Sequence, residues 1–277
     1  MTSTRKPISC SAGVGTVNPP TPTPRRFTLA GLMFLVSIML AGVASPSFAE
    51  KVHVAVAANF AVPMEKIASA FERETGHTAV LSFGATGALY AQIIHGAPFL
   101  VFLSADQTTP LRLAREDRAV AASAFTYAVG KLVLWSPKPE LVDAEGKILF
   151  SGQFDRIAIA NPDTAPYGKA AIEVLSKLDL LKQVRPKLVT GNNIAQAFQF
   201  VSSGNAGIGF IALSQVYRNG HITSGSAWII PDDNYTPIRQ DAVLLKSGAN
   251  NPAATALMDY LRSDDARSII ASYGYGF

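Results

Sequence analysis

Four joints between a predicted strand and a predicted helix carry groups that suit anion binding. The side chains of Asn, Thr and Tyr are uncharged hydrogen-bonding groups. The first N–H groups of a helix have no intrahelical acceptor and lie at the positive end of the helix dipole. No Lys, Arg or His occupies any joint, so we expect a small, fully ionised anion held by neutral donors. The joints are Ala58 with Asn59, Thr86 with Gly87, Tyr167 with Gly168, and Asn193 with Ile194.

The first joint lies between a buried strand and an amphipathic helix. Val52–Ala57 is rich in valine and alanine apart from His53, which is typical of a strand covered on both faces. Apolar residues then recur at helical spacing from Phe60 to Phe71, and Gly76 is a suitable end. Asn59 stands between them, where its side-chain oxygen could cap the helix.

The same order of strand, loop and helix is repeated along the chain. Thr86 is expected to cap the second helix, and Gly87 lets the backbone approach a ligand closely. This repetition predicts an α/β fold with mainly parallel sheets. Further strands are predicted at His77–Phe83, Val101–Leu103, Arg156–Ala160, Lys187–Thr190 and Ile208–Leu213.

Two β-prone stretches are predicted to pass between two lobes. Phe125–Trp135 is expected to be one long crossing strand, and Pro237–Leu245 is expected to return the chain. Residues 50–127 and 236–277 would then form lobe 1, and residues 128–235 lobe 2. Ligands of open α/β sheets bind beyond the carboxyl ends of the strands, so the joints should meet between the lobes.

Residues 1–49 have the pattern of a removed secretory signal. Arg25 and Arg26 precede an apolar run at 29–44, and Ser47–Ala49 offers small residues for cleavage. The run is shorter than the roughly 20 residues of a membrane span, although an uncleaved anchor is the alternative. We therefore expect a periplasmic protein.

The composition beyond the signal excludes several classes of function. The chain has 24 basic and 20 acidic residues, and four of the basic ones precede residue 50, which leaves 20 of each sign. A balanced charge gives no reason to expect nucleic acid as a partner. Cys10 is the only cysteine, so residues 50–277 have no disulfide or thiol chemistry. The four histidines lack metal-ligand spacing.

Several motifs in order resemble those of the periplasmic molybdate-binding proteins of ABC importers. The resemblance implies a two-lobed type II periplasmic-binding fold that holds molybdate or tungstate between the lobes. It also implies partnership with an ABC permease and ATPase, a monomer, no catalytic activity, no cofactor and no metal bound directly by the protein. The motifs are Ala57–Phe60, Ser82–Gly87, Gly96–Phe99, Phe102–Asp106, Asn161 with Pro162, Pro166–Gly168, and Tyr273 with Gly274.

The resemblance also implies the residues that bind the oxyanion. The first ligand position of the family matches Asn59, with the Ala58 backbone beside it, and the second matches Thr86. The third matches Tyr167, and the fourth, a backbone N–H, matches Ile194.

Two positions depart from the common family pattern. Many members have a tyrosine ligand where this chain has Ala212, but a second group lacks it and carries the asparagine and tyrosine found here at 59 and 167. The family usually has aspartate where Leu100 stands, and the sequence offers no account of that change.

Other interpretations of these residues stay open from the sequence. Asn59 and Thr86 could be helix caps only, Tyr167 could be a core tyrosine, and Asp106 is expected to be structural. A neutral site of this kind also suits sulfate or another oxyanion. A secreted hydrolase is the other alternative, but the chain has no G-x-S-x-G motif and no histidine at a joint.

Overall fold

The computed structural model describes residues 13, 15–21 and 49–277. Most of the predicted signal, residues 1–49, therefore falls outside the described residues. Within the described part, no helix has the length and apolar character needed to cross a membrane. The described residues 49–277 belong to one compact unit, which contains all the elements below.

The first sheet has five strands in the order β2-β1-β3-β12-β4. β1 pairs in parallel with β2 and β3, and β12 pairs antiparallel with β3 and β4, so four of the five strands run in one direction. The strands are β1 Lys51–Ala57, β2 Thr78–Gly84, β3 Val101–Leu103, β4 Phe125–Gly130 and β12 Ile238–Leu244.

The second sheet has the order β11-β5-β8-β6-β7. β6 is parallel to β7 and β8, β5 is antiparallel to β8 and β11, and again four strands share one direction. The strands are β5 Leu132–Ser136, β6 Ile157–Ala160, β7 Leu188–Gly191, β8 Ile208–Ala212 and β11 Ser226–Ile229, with a separate small hairpin of β9 Tyr217–Arg218 and β10 His221–Ile222.

Helices flank both sheets, which confirms the two-lobed α/β class. Helix α1, Ala61–Thr75, buries the apolar positions predicted from its spacing and ends at Gly76, whose φ of 74° is the left-handed conformation that glycine adopts without strain. The other helices are α2 Thr86–Ile94, α3 Thr108–Arg115, α4 Lys147–Ser151, α5 Pro166–Lys177, α6 Leu181–Val184, α7 Ile194–Ser202, α8 Pro252–Tyr260 and α9 Asp264–Ser272.

The chain passes between the two sheets twice. The prediction of one continuous strand from Phe125 to Trp135 is wrong, because β4 ends at Gly130 and β5 begins at Leu132 in the other sheet. Lys131 thus lies between two strands that belong to different sheets. The return passes from β11 through residues 230–237 into β12. The exact lobe limits, at 127/128 and 235/236, stay a prediction.

Apolar contacts join the two halves at the carboxyl ends of the first sheet. Ala58, Ala85 and Ala105 follow β1, β2 and β3, and each is buried in the core cluster of the second sheet. The described arrangement is therefore a closed one, in which the strand ends of one sheet face the other sheet.

Candidate functional site

Five of the six predicted site residues line one small cavity. Ala58, Asn59, Thr86, Tyr167 and Ile194 contribute to it, although they come from distant parts of the chain. The cavity volume is about 10 Å³, which is room for roughly one water molecule. The remaining lining residues are Ala57, Gly84, Ala85, Ala105, Ala165, Pro166 and Asn193.

Four helical starts converge on this cavity. A single 3₁₀ turn, Ala58–Phe60, leads into α1, and helices α2, α5 and α7 begin at Thr86, Pro166 and Ile194. Each start presents backbone N–H groups without intrahelical acceptors and the positive end of a dipole. None of the four has an acidic residue in its first turn. No carboxylate in these first turns therefore opposes the positive ends of the dipoles.

Among the residues that the structure describes, those lining the cavity include no Asp, Glu, His, Lys or Arg. Tyr167 is its only titratable residue, and burial raises the pKa of that phenol well above its ordinary value. The site is thus uncharged at physiological pH, and its attraction for an anion comes from oriented N–H and O–H dipoles. Among the described residues, no three His, Cys, Asp or Glu side chains come together as metal ligands.

Thr86 has its hydroxyl positioned by the neighbouring loop. The predicted cap is wrong: Thr86 is the first helical residue, Ala85 precedes it, and neither side chain caps α2. Instead the Thr86 hydroxyl oxygen accepts a 3.0 Å hydrogen bond from the Ala105 N–H. Since the oxygen is the acceptor, the hydroxyl hydrogen stays available for a ligand.

Asn59 also makes no cap, because it lies inside the 3₁₀ turn and its side chain forms other hydrogen bonds. Its amide nitrogen donates to Gln240 Oε1 at 2.8 Å and to the Tyr275 hydroxyl at 3.0 Å. Its backbone carbonyl accepts from the hydroxyls of Ser214 and Tyr275, both at 2.8 Å. Asn59 is only 3% exposed, and the hydrogen bonds of this network fix its position.

Gln240 and two tyrosines complete the buried network. Gln240 Nε2 donates to the Tyr167 hydroxyl at 3.2 Å, and Gln240 Oε1 accepts from the Tyr127 hydroxyl at 3.1 Å. Burial raises the pKa of Tyr127 well above its ordinary value and that of Tyr275 to about 12, so these phenols stay neutral. The sequence alone does not single out Gln240, Ser214, Tyr127 or Tyr275, since nothing in their local spacing differs from ordinary core positions.

Gly87 is the one predicted site residue that does not line this cavity. Its N–H donates to the Thr164 carbonyl at 2.9 Å, across the cleft. A Cβ on Gly87 would lie 3.2 Å from Thr164 Cα, so the two backbones are in close approach. Because Gly87 has no side chain, its backbone can come into contact with the opposite half of the molecule.

Ile194 begins a helix that its neighbour caps. The Asn193 side chain accepts from the Gln196 N–H at 3.0 Å, which fixes the first turn of α7. The Ile194 side chain is buried at 3% exposure, so its backbone N–H is the group that a ligand can use.

Three other positions that the sequence singles out do not line the small cavity. Asp106 accepts from the backbone N–H and hydroxyl of Thr109, which stabilises the start of α3. Ala212 is fully buried at the end of β8. Leu100, where aspartate was expected, packs against the core of the first sheet, which accounts for an apolar residue there.

A wider cleft opens beside the small cavity and shares Thr86, Ala105, Ala165 and Pro166 with it. Its volume is about 450 Å³, and both halves of the molecule contribute to its walls. Its charged side chains are mixed in sign: Asp106, Arg112, Asp163, Lys169, Glu173 and Arg239.

Comparison with known proteins identifies the family. Residues 52–276 match the family model for bacterial extracellular solute-binding proteins. The molybdate-binding protein ModA of Azotobacter vinelandii is 58% identical over 228 residues, which span 82% of this chain and 90% of that protein. The ModA of Rhodobacter capsulatus is 50% identical over 246 residues, spanning 89% and 95%.

A solved structure agrees with this assignment. The Azotobacter vinelandii periplasmic molybdate-binding protein matches with a TM-score of 0.79 and 42% identity, covering 82% of this chain and 99% of that one. The chain therefore belongs to the bacterial extracellular solute-binding protein family, within its group of periplasmic molybdate-binding proteins.

Proposed function

We propose that this chain is the substrate-binding protein of an ABC importer and captures molybdate or tungstate between its two lobes. The oxyanion would be bound by the Ala58 and Asn59 loop, by Thr86, and by the backbone N–H groups of Tyr167 and Ile194. Gly87 would assist by keeping the lobes together through Thr164 rather than by touching the ligand. Two relatives with at least 50% identity are named molybdate-binding proteins, which supports this choice of ligand.

One observation carries the proposal: five uncharged residues from four separate helical starts line a single cavity. A dianion with tetrahedral oxygens can accept hydrogen bonds in several directions at once, which matches convergent donors. Phosphate fits less well, because it is partly protonated near neutral pH and a lining without carboxylates offers that proton no charged acceptor. Sulfate has the charge and shape of molybdate, so size alone separates them.

Binding requires movement of the lobes. A cavity of about 10 Å³ is too small for an anion with four oxygens, so the walls must separate to admit it. We assign this movement to Lys131 and residues 230–237, where the chain passes between the sheets. Residues 50–127 with 236–277 and residues 128–235 would then move as the two lobes.

The wider setting follows from the family. Residues 1–49 would direct export to the periplasm and be removed. The mature protein would act as a monomer that delivers the closed, loaded form to a permease and its ATPase, without catalysing a reaction.

A ligand panel tests this proposal. Protein lacking residues 1–49 should show a raised melting temperature with molybdate and tungstate, because a ligand that binds only the folded state stabilises it. Sulfate and phosphate should give smaller shifts at equal concentration. A shift with sulfate alone, or with none of the four anions, would contradict the proposal.

A conservative substitution tests the assigned donors. Thr86→Val removes the hydroxyl but keeps the shape of the side chain, and we expect molybdate affinity to fall by about 5- to 150-fold, the cost of roughly 1–3 kcal/mol for a missing buried donor. Thr255→Val, at an exposed position of α8, is the matched control and should leave affinity unchanged. Equal affinity of both variants by titration calorimetry would remove Thr86 from the site.

A further inference from the structure

Gln240 joins groups from three separate segments at the centre of the buried network. It lies on β12, the strand that returns to the first sheet, and is fully buried. Its amide oxygen accepts from Asn59 and Tyr127, and its amide nitrogen donates to Tyr167. Gln240 does not line the anion cavity, but two of its partners, Asn59 and Tyr167, do.

The orientation of the Asn59 amide conflicts with anion binding. Both of its described hydrogen bonds from Nδ2 lead away from the cavity, to Gln240 and Tyr275. Its Oδ1 has no hydrogen bond to the described residues, and in that part of the chain no buried side-chain oxygen or nitrogen lacks a partner. Oδ1 must therefore reach open space, and the cavity is the open space that Asn59 lines. A carbonyl oxygen facing an oxyanion is repelled by it.

Exchange of oxygen and nitrogen on both amides removes the conflict without moving the network. With Asn59 and Gln240 each rotated by 180°, Gln240 Nε2 donates to Asn59 Oδ1 over the present 2.8 Å and to the Tyr127 hydroxyl over 3.1 Å. Tyr127 in turn donates to the Ser104 carbonyl at 3.1 Å.

The other two hydroxyls also find partners after the exchange. Tyr167 donates to Gln240 Oε1 over 3.2 Å, and Tyr275 donates to Asn59 Oδ1 over 3.0 Å. Ser214 keeps its bond to the Asn59 carbonyl. Every group of the network then has a partner, and the Asn59 NH₂ faces the cavity.

We propose that oxyanion binding inverts both amides together, so that Gln240 is a positioning residue that turns the Asn59 NH₂ towards the anion. This inference rests on the proposed function and adds a residue that acts through Asn59 without touching the ligand. An amide is required at 240, because the position must accept from Asn59 when the site is empty and donate to it when the site is filled.

Neutron diffraction on deuterium-exchanged crystals observes the inversion directly in the wild-type protein. Without anion, we expect deuterium density on the Asn59 atom that faces Gln240. With molybdate bound, we expect it on the Asn59 atom that faces the anion, and on the Gln240 atom that faces Asn59. The same amide orientations in both crystals would overturn the inference.

A double-mutant cycle tests the coupling in solution. Asn59→Ala and Gln240→Met should each weaken molybdate binding by about tenfold or more, because each removes the oriented donor. In the Asn59→Ala background, Gln240→Met should have less than about a threefold further effect. Gln107→Met is the matched control, since Gln107 bonds Thr126 and Asp241 outside the network, and it should bind as the wild type does.

The outcomes separate this inference from the proposed function. Wild-type protein that binds neither molybdate nor tungstate would refute both. Wild-type binding with fully additive losses in the cycle, or with Gln240→Met equal to wild type, would refute the role of Gln240 alone.

Discussion

Gly130 is the last residue of β4, and a methyl group there would clash with the hydrogen-bond network beside the small cavity. A Cβ at this position would be 2.0 Å from the Tyr167 hydroxyl and 2.6 Å from Gln240 Nε2. Ordinary contacts begin at 3.4 Å, so the phenol would have to move by about 1.4 Å. Tyr167 is 2% exposed and Gln240 is fully buried, so neither has space into which to move.

We therefore expect Gly130→Ala to destabilise the protein and to weaken anion binding. Overpacking of a filled core costs about 1–3 kcal/mol. For a folded unit of this size, that lowers the melting temperature by about 2–12 °C. Displacement of Tyr167 and Gln240 should also reduce molybdate affinity, because both belong to the network that holds Asn59.

Gly207→Ala is the matched control. Neither Gly130 nor Gly207 has a positive φ, and a Cβ on Gly207 would meet no atom within 4 Å. The control should therefore be neutral or stabilising by up to about 1 kcal/mol, since alanine restricts the unfolded chain. Thermal unfolding and titration calorimetry of both variants measure the difference. Equal melting temperatures and affinities for Gly130→Ala and wild type would refute the steric argument.

Three further predictions concern the site and its network. Molybdate affinity should stay constant from about pH 7 to pH 9, because no residue that lines the small cavity titrates in that range and the pKa of Tyr167 is raised. A change of more than about tenfold in the affinity measured by calorimetry would contradict this. Burial raises the pKa of Tyr275 to about 12. Its stabilising contribution is therefore complete below about pH 10 and is lost as pH rises through about 12. In denaturant unfolding, the free energy of unfolding of Tyr275→Phe should decline less steeply at alkaline pH than that of the wild type, and identical slopes would argue against this. Gly87→Ala should push Thr164 away and speed anion dissociation several-fold in stopped-flow measurements, whereas an unchanged rate would show that this contact does not hold the closed form.

Local patterns were sufficient to predict most elements near the site. The alternation of buried strands and amphipathic helices predicted β1, α1 and β6 within about two residues and the start of α7 at Ile194, because burial on both faces of a strand and on one face of a helix leaves a clear apolar pattern. The crossing strand was predicted too long, since β-prone residues continue through Lys131 although the pairing partner changes there.

The predictions that Asn59 and Thr86 cap helices were wrong for a related reason. Asn and Thr are common at helix starts, and the sequence does not reveal competing partners from elsewhere in the chain. Asn59 bonds Gln240 and Tyr275, and Thr86 bonds Ala105, all through contacts that depend on tertiary structure.

The sequence by itself determined the uncharged character of the site, because the residue types at the four joints exclude any ionised donor. It also determined which helical starts would be involved. Only the tertiary structure decided that these starts share one cavity, that Gly87 contacts Thr164 instead, and that Gln240 is hydrogen-bonded to Asn59. The physical reason is distance along the chain: Asn59 and Gln240 are 181 residues apart, and a hydrogen bond between them exists only after β1 and β12 have been brought together in the first sheet.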